Sequence, residues 1–175
     1  EPIQVDTRIV GRYNFNNLMT AIALGIYFKV PDMAIKYALE AYEPANNRSQ
    51  LIRRDSNTFL LDAYNANPSS MKAALESFRD TPARYKVAIL GDMLELGPGG
   101  PEEHAAMLRF ALRCKLDTIV LVGPVFGQCT SKASHLHYFP DAQSAKAWFR
   151  QQSFQDTSFL LKGSRGIRLE QVIEP

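Results

Sequence analysis

Between Asp62 and Pro68 the chain reads Asp62-Ala63-Tyr64-Asn65-Ala66-Asn67-Pro68, which places a carboxylate, a phenol and two carboxamides on one short stretch. Together these groups can both accept and donate hydrogen bonds, as the binding of a polar small molecule requires. The stretch closes the apolar run Thr58-Phe59-Leu60-Leu61 and leads into Pro68-Ser69-Ser70, a common form of helix start. A strand-to-helix turn of this kind stands at the carboxyl end of a strand, where open α/β sheets bind their ligands. The bland alternative is an ordinary polar turn, because Asp and Asn are frequent turn residues.

Other reactive or binding side chains recur at similar places. Asn14 and Asn17 are three apart and share a face at the start of a helical pattern. A carboxamide pair there can read a ring with donors and acceptors, such as adenine. The competing reading is an N-cap at Asn14 with Asn17 solvated. Asp92 and Glu95, like Asp62, are acceptors for hydroxyl or ammonium groups, while Lys162, Ser164 and Arg165 can hold a carboxylate, Arg165 with a bidentate grip. His104 lies near a helix start, where the dipole favours a neutral imidazole; the alternative is a half-buried packing histidine. His135 and His137 are expected at a solvated strand edge. Cys114 and Cys129 lack metal-ligand spacing and read as free buried thiols in a reducing cytosol.

The elements that position these groups can be followed in order. Leu18, Ala21, Ile22, Gly25 and Ile26 predict a helix from about Phe15 to Phe28, and a second helix follows Val30-Pro31-Asp32. Residues 49–54 and 57–61 predict an antiparallel hairpin. Then come helix 69–79, strand 86–90, helix 101–114, strand 117–122, a short helix near 125–132, strand 136–139, helix 141–152, strand 158–162 and a last helix from about 167. Alternation of this kind implies right-handed crossovers and a parallel sheet. The expected architecture is a Rossmann-like, three-layer α/β domain with about six strands, mostly parallel, one antiparallel at an edge. Its carboxyl edge would collect Asp62, Asp92, Glu95, Lys162, Ser164 and Arg165. A linker at Glu43-Pro44-Ala45-Asn46-Asn47 divides residues 1–44 from 45–175, and the first part is too small to bury a core of its own.

Composition excludes several classes of function. Hydrophobic residues at 46% and charged residues at 22% are ordinary globular values. A formal net charge of +2 without a basic block gives no electrostatic case for nucleic acid or an anionic membrane. No stretch has the apolar length of a membrane span, and the N-terminus has no signal-peptide form. Neither G-x-x-x-x-G-K-[ST] nor G-x-G-x-x-G after a strand occurs.

The order Gly11-Arg12-Tyr13-Asn14-Phe15-Asn16-Asn17, Arg48, D-A-Y-N-A-N-P-S-S-M over 62–71, L-G-D-M-L-E-L-G over 90–97, His104 and Lys162-Gly163-Ser164 resembles the motif series of the Mur ligases. It is similar in particular to the branch that joins D-alanyl-D-alanine to UDP-N-acetylmuramoyl-tripeptide in peptidoglycan precursor synthesis. One position departs, since the family usually has His where this chain has Tyr13. The resemblance implies a cytoplasmic, monomeric ligase that uses ATP and Mg²⁺ to form an acyl phosphate, which the incoming amine attacks. Such chemistry is mostly positioning and stabilisation of phosphate and oxyanion charge.

The same resemblance implies that residues 1–44 are the tail of the central ATP-binding domain and 45–175 the C-terminal domain. The phosphate loop, the metal ligands and a modified lysine would lie outside this chain, which alone would be inactive. Asn14, Asn17, Arg48 and Asp62 would serve ATP, and Tyr64, Asn65, Asn67, Lys162, Ser164 and Arg165 the dipeptide. No metal ligand is assigned, and Asp92 and His104 are the only catalytic candidates. Two other readings stand beside it: a related ATP-dependent amide ligase of the same superfamily, or a non-catalytic α/β ligand-binding module.

Overall fold

Residues 85–91 and 157–162 alternate between two apolar layers: Val87, Ile89, Phe159 and Leu161 enter one, and Ala88, Leu90 and Leu160 the other. The two-residue period of a strand sends neighbours to opposite faces, so a run that is apolar throughout must be covered on both. A computed structural model of the chain describes residues 2–129 and 131–174 and supplies those covers.

In chain order the helices are α1 (Phe15–Tyr27), α2 (Asp32–Ala41), α3 (Pro68–Asp80), α4 (Gly100–Leu112), α5 (Ala142–Phe149) and α6 (Glu170–Ile173). The strands are β1 (Gln50–Arg54), β2 (Asn57–Asp62), β3 (Tyr85–Gly91), β4 (Thr118–Val122), β5 (Leu136–Phe139) and β6 (Thr157–Lys162). They form one sheet in the order β1-β2-β6-β3-β4-β5, with β1 antiparallel to β2 and every other pairing parallel. The expected six-stranded, mostly parallel sheet with an antiparallel edge strand is the observed one.

Helices α3 and α4 pack their Met71, Leu75, Phe78, Met107 and Leu108 on one face, and α5 and α6 place Ala142, Ala145, Val172 and Ile173 on the other. This arrangement has a functional consequence. The strands on either side of β6, β2 and β3, lead into helices on one face, whereas β6 leads into α6 on the opposite face. The sheet therefore has two switch points, one at β2/β6 and one at β6/β3, and each opens a crevice beyond the carboxyl ends of its strands.

Local chemistry sets the boundaries. Asn67 caps α3 by accepting from the Ser70 amide at 2.8 Å, while the Ser70 hydroxyl accepts from the Asn67 amide at 3.1 Å, with Pro68 at the first helical position. Asp141 caps α5 in the same way through Ser144, at 2.7 Å. Three expected helices are shorter than the periodicity suggests. The segment near 125–132 holds only a 3₁₀ turn at Phe126–Gln128, with Thr130 outside the described residues; α5 ends at Phe149; and the last helix begins at Glu170. Arg168 at φ 56° interrupts helical geometry before it.

Helices α1 and α2 contain no buried residue, and Leu24, Ile26, Tyr27 and Tyr37 stand exposed on them. The pair joins the sheet domain through the 3₁₀ turn Arg12–Asn14, whose Tyr13 packs against the α3/α4 layer. Among the described residues no helix is long and apolar enough to cross a membrane.

Phe159 lies fully buried, stacked on Phe59 at 4.5 Å between centroids and edge-on to Phe149 and Phe154. Phe159→Ala should cost about 3–5 kcal/mol of stability through the cavity it leaves. Urea unfolding followed by circular dichroism measures this, and a loss below about 1 kcal/mol would contradict the central role of that ring.

Candidate functional site at the carboxyl edge of the sheet

Parallel pairing of β2 with β6 sets Asp62 opposite Lys162 at the last rung, and their side chains form an ion pair of 2.9 Å. Lys162 is 2% exposed, so its charge needs this partner. Its ammonium also donates to the Asn65 carbonyl at 3.0 Å, which fixes the turn after β2. Asp62 accepts in addition from the Ser49 amide at 3.2 Å, the Ser49 hydroxyl at 3.5 Å and the Tyr13 hydroxyl at 3.4 Å. The Tyr13 and Ser49 hydroxyls lie 3.1 Å apart. Tyr13 thus joins the shell of the strand-end carboxylate. Burial, with the Asp62 charge second, pushes its phenol up to about 12.

Two hollows open at this edge. The first, about 560 Å³, is lined by Tyr13, Asn14, Asn17, Arg48, Asp62 and Lys162 among others, and is of the size of small-molecule sites. The second, about 250 Å³, is lined by Tyr64, Asn65, Leu94, Glu95, Ser164, Arg165 and Gly166. Tyr64 and Asn65 line both, so the wall between the hollows is the turn after β2. Ala63 and Ala66 anchor that turn from inside, being 0% and 2% exposed.

Asn14 donates to the Val10 carbonyl at 2.8 Å and the Ser49 hydroxyl at 3.0 Å, and accepts from the Asn17 amide at 3.0 Å. It occupies the N-cap position of α1, but its side chain makes no capping bond there, which corrects the capping alternative. Its two donors are committed, whereas Asn17 keeps one N–H and its carbonyl oxygen for a ligand.

The loop after β3 is built from the inside. Asp92, fully buried, accepts from the amides of Val125 and Phe126, both at 2.8 Å, and so ties this loop to the one after β4. Gly123 at φ 123° permits the contact, because a Cβ there would stand 2.5 Å from the Asp92 carboxyl carbon. His104 is fully buried as well: Nδ1 donates to the Gly100 carbonyl at 2.6 Å and Nε2 accepts from the Met93 amide at 2.9 Å. Those partners assign the proton to Nδ1, and the ring edge packs on Phe126 at 4.6 Å. His104 lies near the start of α4 against the loop after β3, as expected, but it is sealed from solvent and not half buried. With both ring nitrogens engaged by backbone, it secures loop to helix.

Other expectations are redistributed. Asn67 is committed to capping α3 and lines neither hollow. Lys162 stands with Asp62 in the first hollow, not with Arg165 in the second. The Ser164 hydroxyl accepts from the Leu94 amide at 2.9 Å and its amide donates to the Asp92 carbonyl at 3.0 Å, so it ties the loop after β3, which carries Glu95, to the end of β6, which carries Arg165. His137 is not simply solvated, since it packs on Trp148 at 4.9 Å. Burial raises both thiols, Cys114 and Cys129, with Cys129 only partly buried. Ser49 is the residue that sequence reasoning missed. A signal existed, because a hairpin with Gln50 opposite Leu61 brings the preceding residue beside Asp62.

A family model for the Mur ligase, glutamate ligase domain matches residues 47–165. The chain is 33% identical over 171 residues to UDP-N-acetylmuramoyl-tripeptide–D-alanyl-D-alanine ligase of Treponema pallidum, covering 94% of this chain and 37% of that protein. A crystal structure of MurF from Acinetobacter baumannii superposes with a TM-score of 0.82 at 31% identity, over 97% of this chain and 38% of that one. MurF from Thermotoga maritima, solved with ADP, shares the fold with a TM-score of 0.71 at 22% identity. The chain therefore spans a little over a third of the relatives it matches.

The raised Tyr13 phenol has a pH consequence. Its folded pKa lies above its unfolded value of 10.0, so the native state holds the proton more tightly and the contribution is complete below about pH 10. It is lost as pH rises toward about 12. The stability difference between the unsubstituted chain and Tyr13→Phe, from urea unfolding at increasing pH, should stay level to about pH 10 and then fall. A difference that stays level throughout would place Tyr13 outside the Asp62 shell.

Proposed function

Because this chain belongs to the Mur ligase family, we propose that it contributes the C-terminal part of an ATP-dependent ligase joining D-alanyl-D-alanine to UDP-N-acetylmuramoyl-tripeptide. The observation that carries this reading is the pair of hollows sharing one wall, one lined by carboxamides and Asp62, the other by Arg165, Glu95 and Ser164. A ligase of this kind must hold a nucleotide and an amine-bearing acceptor side by side, and a shared wall does that.

In this reading residues 1–44 are the tail of the ATP-binding domain and 45–175 the dipeptide-binding domain. The exposed apolar faces of α1 and α2 support it, as does the absence of any buried residue on them. Asn17 reads the adenine with its free carbonyl and N–H, and Asn14, its own bonds committed, sets the angle of that amide. Arg48 faces the nucleotide's phosphates or ribose. Asp62 takes a ribose hydroxyl by exchanging its two long contacts, to the Tyr13 and Ser49 hydroxyls, while the Lys162 pair stays in place.

In the second hollow Arg165 grips the terminal carboxylate of D-alanyl-D-alanine, and Glu95, with φ 72° lifting it from the loop, faces the amine. Tyr64 and Asn65 border both ligands. Bound ATP supplies the phosphoryl group that activates the tripeptide carboxylate; the residues of this chain orient the nucleotide base and the acceptor amine relative to it. Among the described residues no three of His, Cys, Asp and Glu are grouped to hold a metal ion, so no magnesium step is assigned to this chain. Asp92 and His104, sealed from solvent, act on the shape of the acceptor loop and do not touch the substrate.

Two measurements test this reading. In the longer ligase, Arg48→Ala should raise the apparent KM for ATP and Arg165→Ala that for the dipeptide, each by about 1.5–3 kcal/mol in free-energy terms, the scale of a charge-assisted hydrogen bond. Dipeptide-dependent phosphate release reports both, and two variants that alter ATP use alone would overturn the division of the edge. Calorimetry of ATP into the chain alone should find an affinity weaker than micromolar, since no phosphate loop occurs in it.

A further inference from the structure

Tyr64 is exposed to 37% and has no hydrogen-bond partner for its hydroxyl among the described residues, yet two guanidinium groups lie against its ring. The Arg48 guanidinium carbon lies 3.5 Å from its ring centroid, and that of Arg165 lies 5.3 Å from the same centroid. Both fall within the ~6 Å reach of a cation–π contact. Arg48 lines the first hollow and Arg165 the second, while Tyr64 lines both.

Neither guanidinium has a carboxylate within salt-bridge distance among the described residues. An exposed arginine without such a partner would otherwise sample many rotamers, and ordering it on binding would cost affinity. Among the described residues the aromatic ring is thus the group that stands against each one. Its own place is fixed from beneath: Ala63 and Ala66 are buried on either side, and Lys162 clamps the Asn65 carbonyl while paired with Asp62.

We propose that Tyr64 is a positioning residue for both arginines, pre-ordering one cation at each hollow through a single ring, so that its loss weakens two ligands at once. This rests on the proposed function and adds to it, since Tyr64 was expected to face the dipeptide alone. The ring and not the hydroxyl does the work, so phenylalanine should substitute for it and an aliphatic side chain should not.

The test has two arms. In isotopically labelled protein of this chain, ring currents should shift the side-chain proton resonances of Arg48 and Arg165 upfield; Tyr64→Phe should retain the shifts and Tyr64→Leu abolish both. In the longer ligase, Tyr64→Leu should raise the apparent KM for ATP and for the dipeptide together, roughly two- to fivefold each on the scale of an exposed cation–π contact, with kcat changed less. Tyr64→Phe should restore both values. A rise confined to the dipeptide would assign Tyr64 to direct contact, and failure of Tyr64→Phe to restore would assign the effect to the hydroxyl; either overturns the proposal. Should the protein catalyse no such ligation, the reading of function falls by itself, and the resonance shifts decide the positioning role: their absence in the unsubstituted chain refutes it.

Discussion

The ion pair between Asp62 and Lys162 is the constraint on which the carboxyl edge depends. Burying a lysine to 2% exposure is costly unless an anion stands beside it, and parallel register brings Asp62 opposite it at the end of adjacent strands. From that pair the bonds spread outward. Ser49 attaches the start of the hairpin to Asp62, Tyr13 attaches the N-terminal turn, and the Asn65 carbonyl attaches the turn that divides the hollows. One pair, its lysine buried and its aspartate partly so, therefore sets the relative position of the N-terminal turn, the start of the hairpin and the turn after β2.

A fully buried carboxylate, Asp92, performs the same task at the end of β3. Asp92 joins the loops after β3 and β4 through two amides, and Ser164 joins the end of β6 to the same loop. Gly163 allows that approach, since a Cβ there would stand 2.9 Å from the Gly91 Cα. Of the side chains that remain turned outward, Arg48, Tyr64, Glu95 and Arg165 sit on or beside these braced loops, and Asn17 on the first turn of α1. Buried polar groups at this edge shape the backbone, while the exposed ones face the two hollows. Such a division suits chemistry that depends on positioning, where a small misplacement costs rate.

Much of the fold was legible because burial on two faces leaves a plain trace. Runs such as Val87-Ala88-Ile89-Leu90 and Phe159-Leu160-Leu161 have no polar face to expose, and Asn67-Pro68-Ser69-Ser70 carries its cap in the sequence. Short elements were less legible: a single 3₁₀ turn at Phe126–Gln128 and a four-residue α6 have too few residues for a period to show. At the site, residue types identified who was present but not who was engaged. Asn67 and Asn65 look alike in the motif, yet one caps a helix and the other lines both hollows.

The sequence by itself determined the family, the alternation of strands and helices, and the strand ends at which polar groups gather, because each of these is carried by local pattern. Tertiary structure alone decided which charges are spent within the protein and which are offered outward. Lys162 and Arg165 are three residues apart, but the first points into the sheet edge against Asp62 and the second stands exposed beside Tyr64. His104 and Asp92 became internal braces for the same reason. Pairing and desolvation depend on neighbours brought from elsewhere in the chain, and strand register, not residue type, chooses those neighbours.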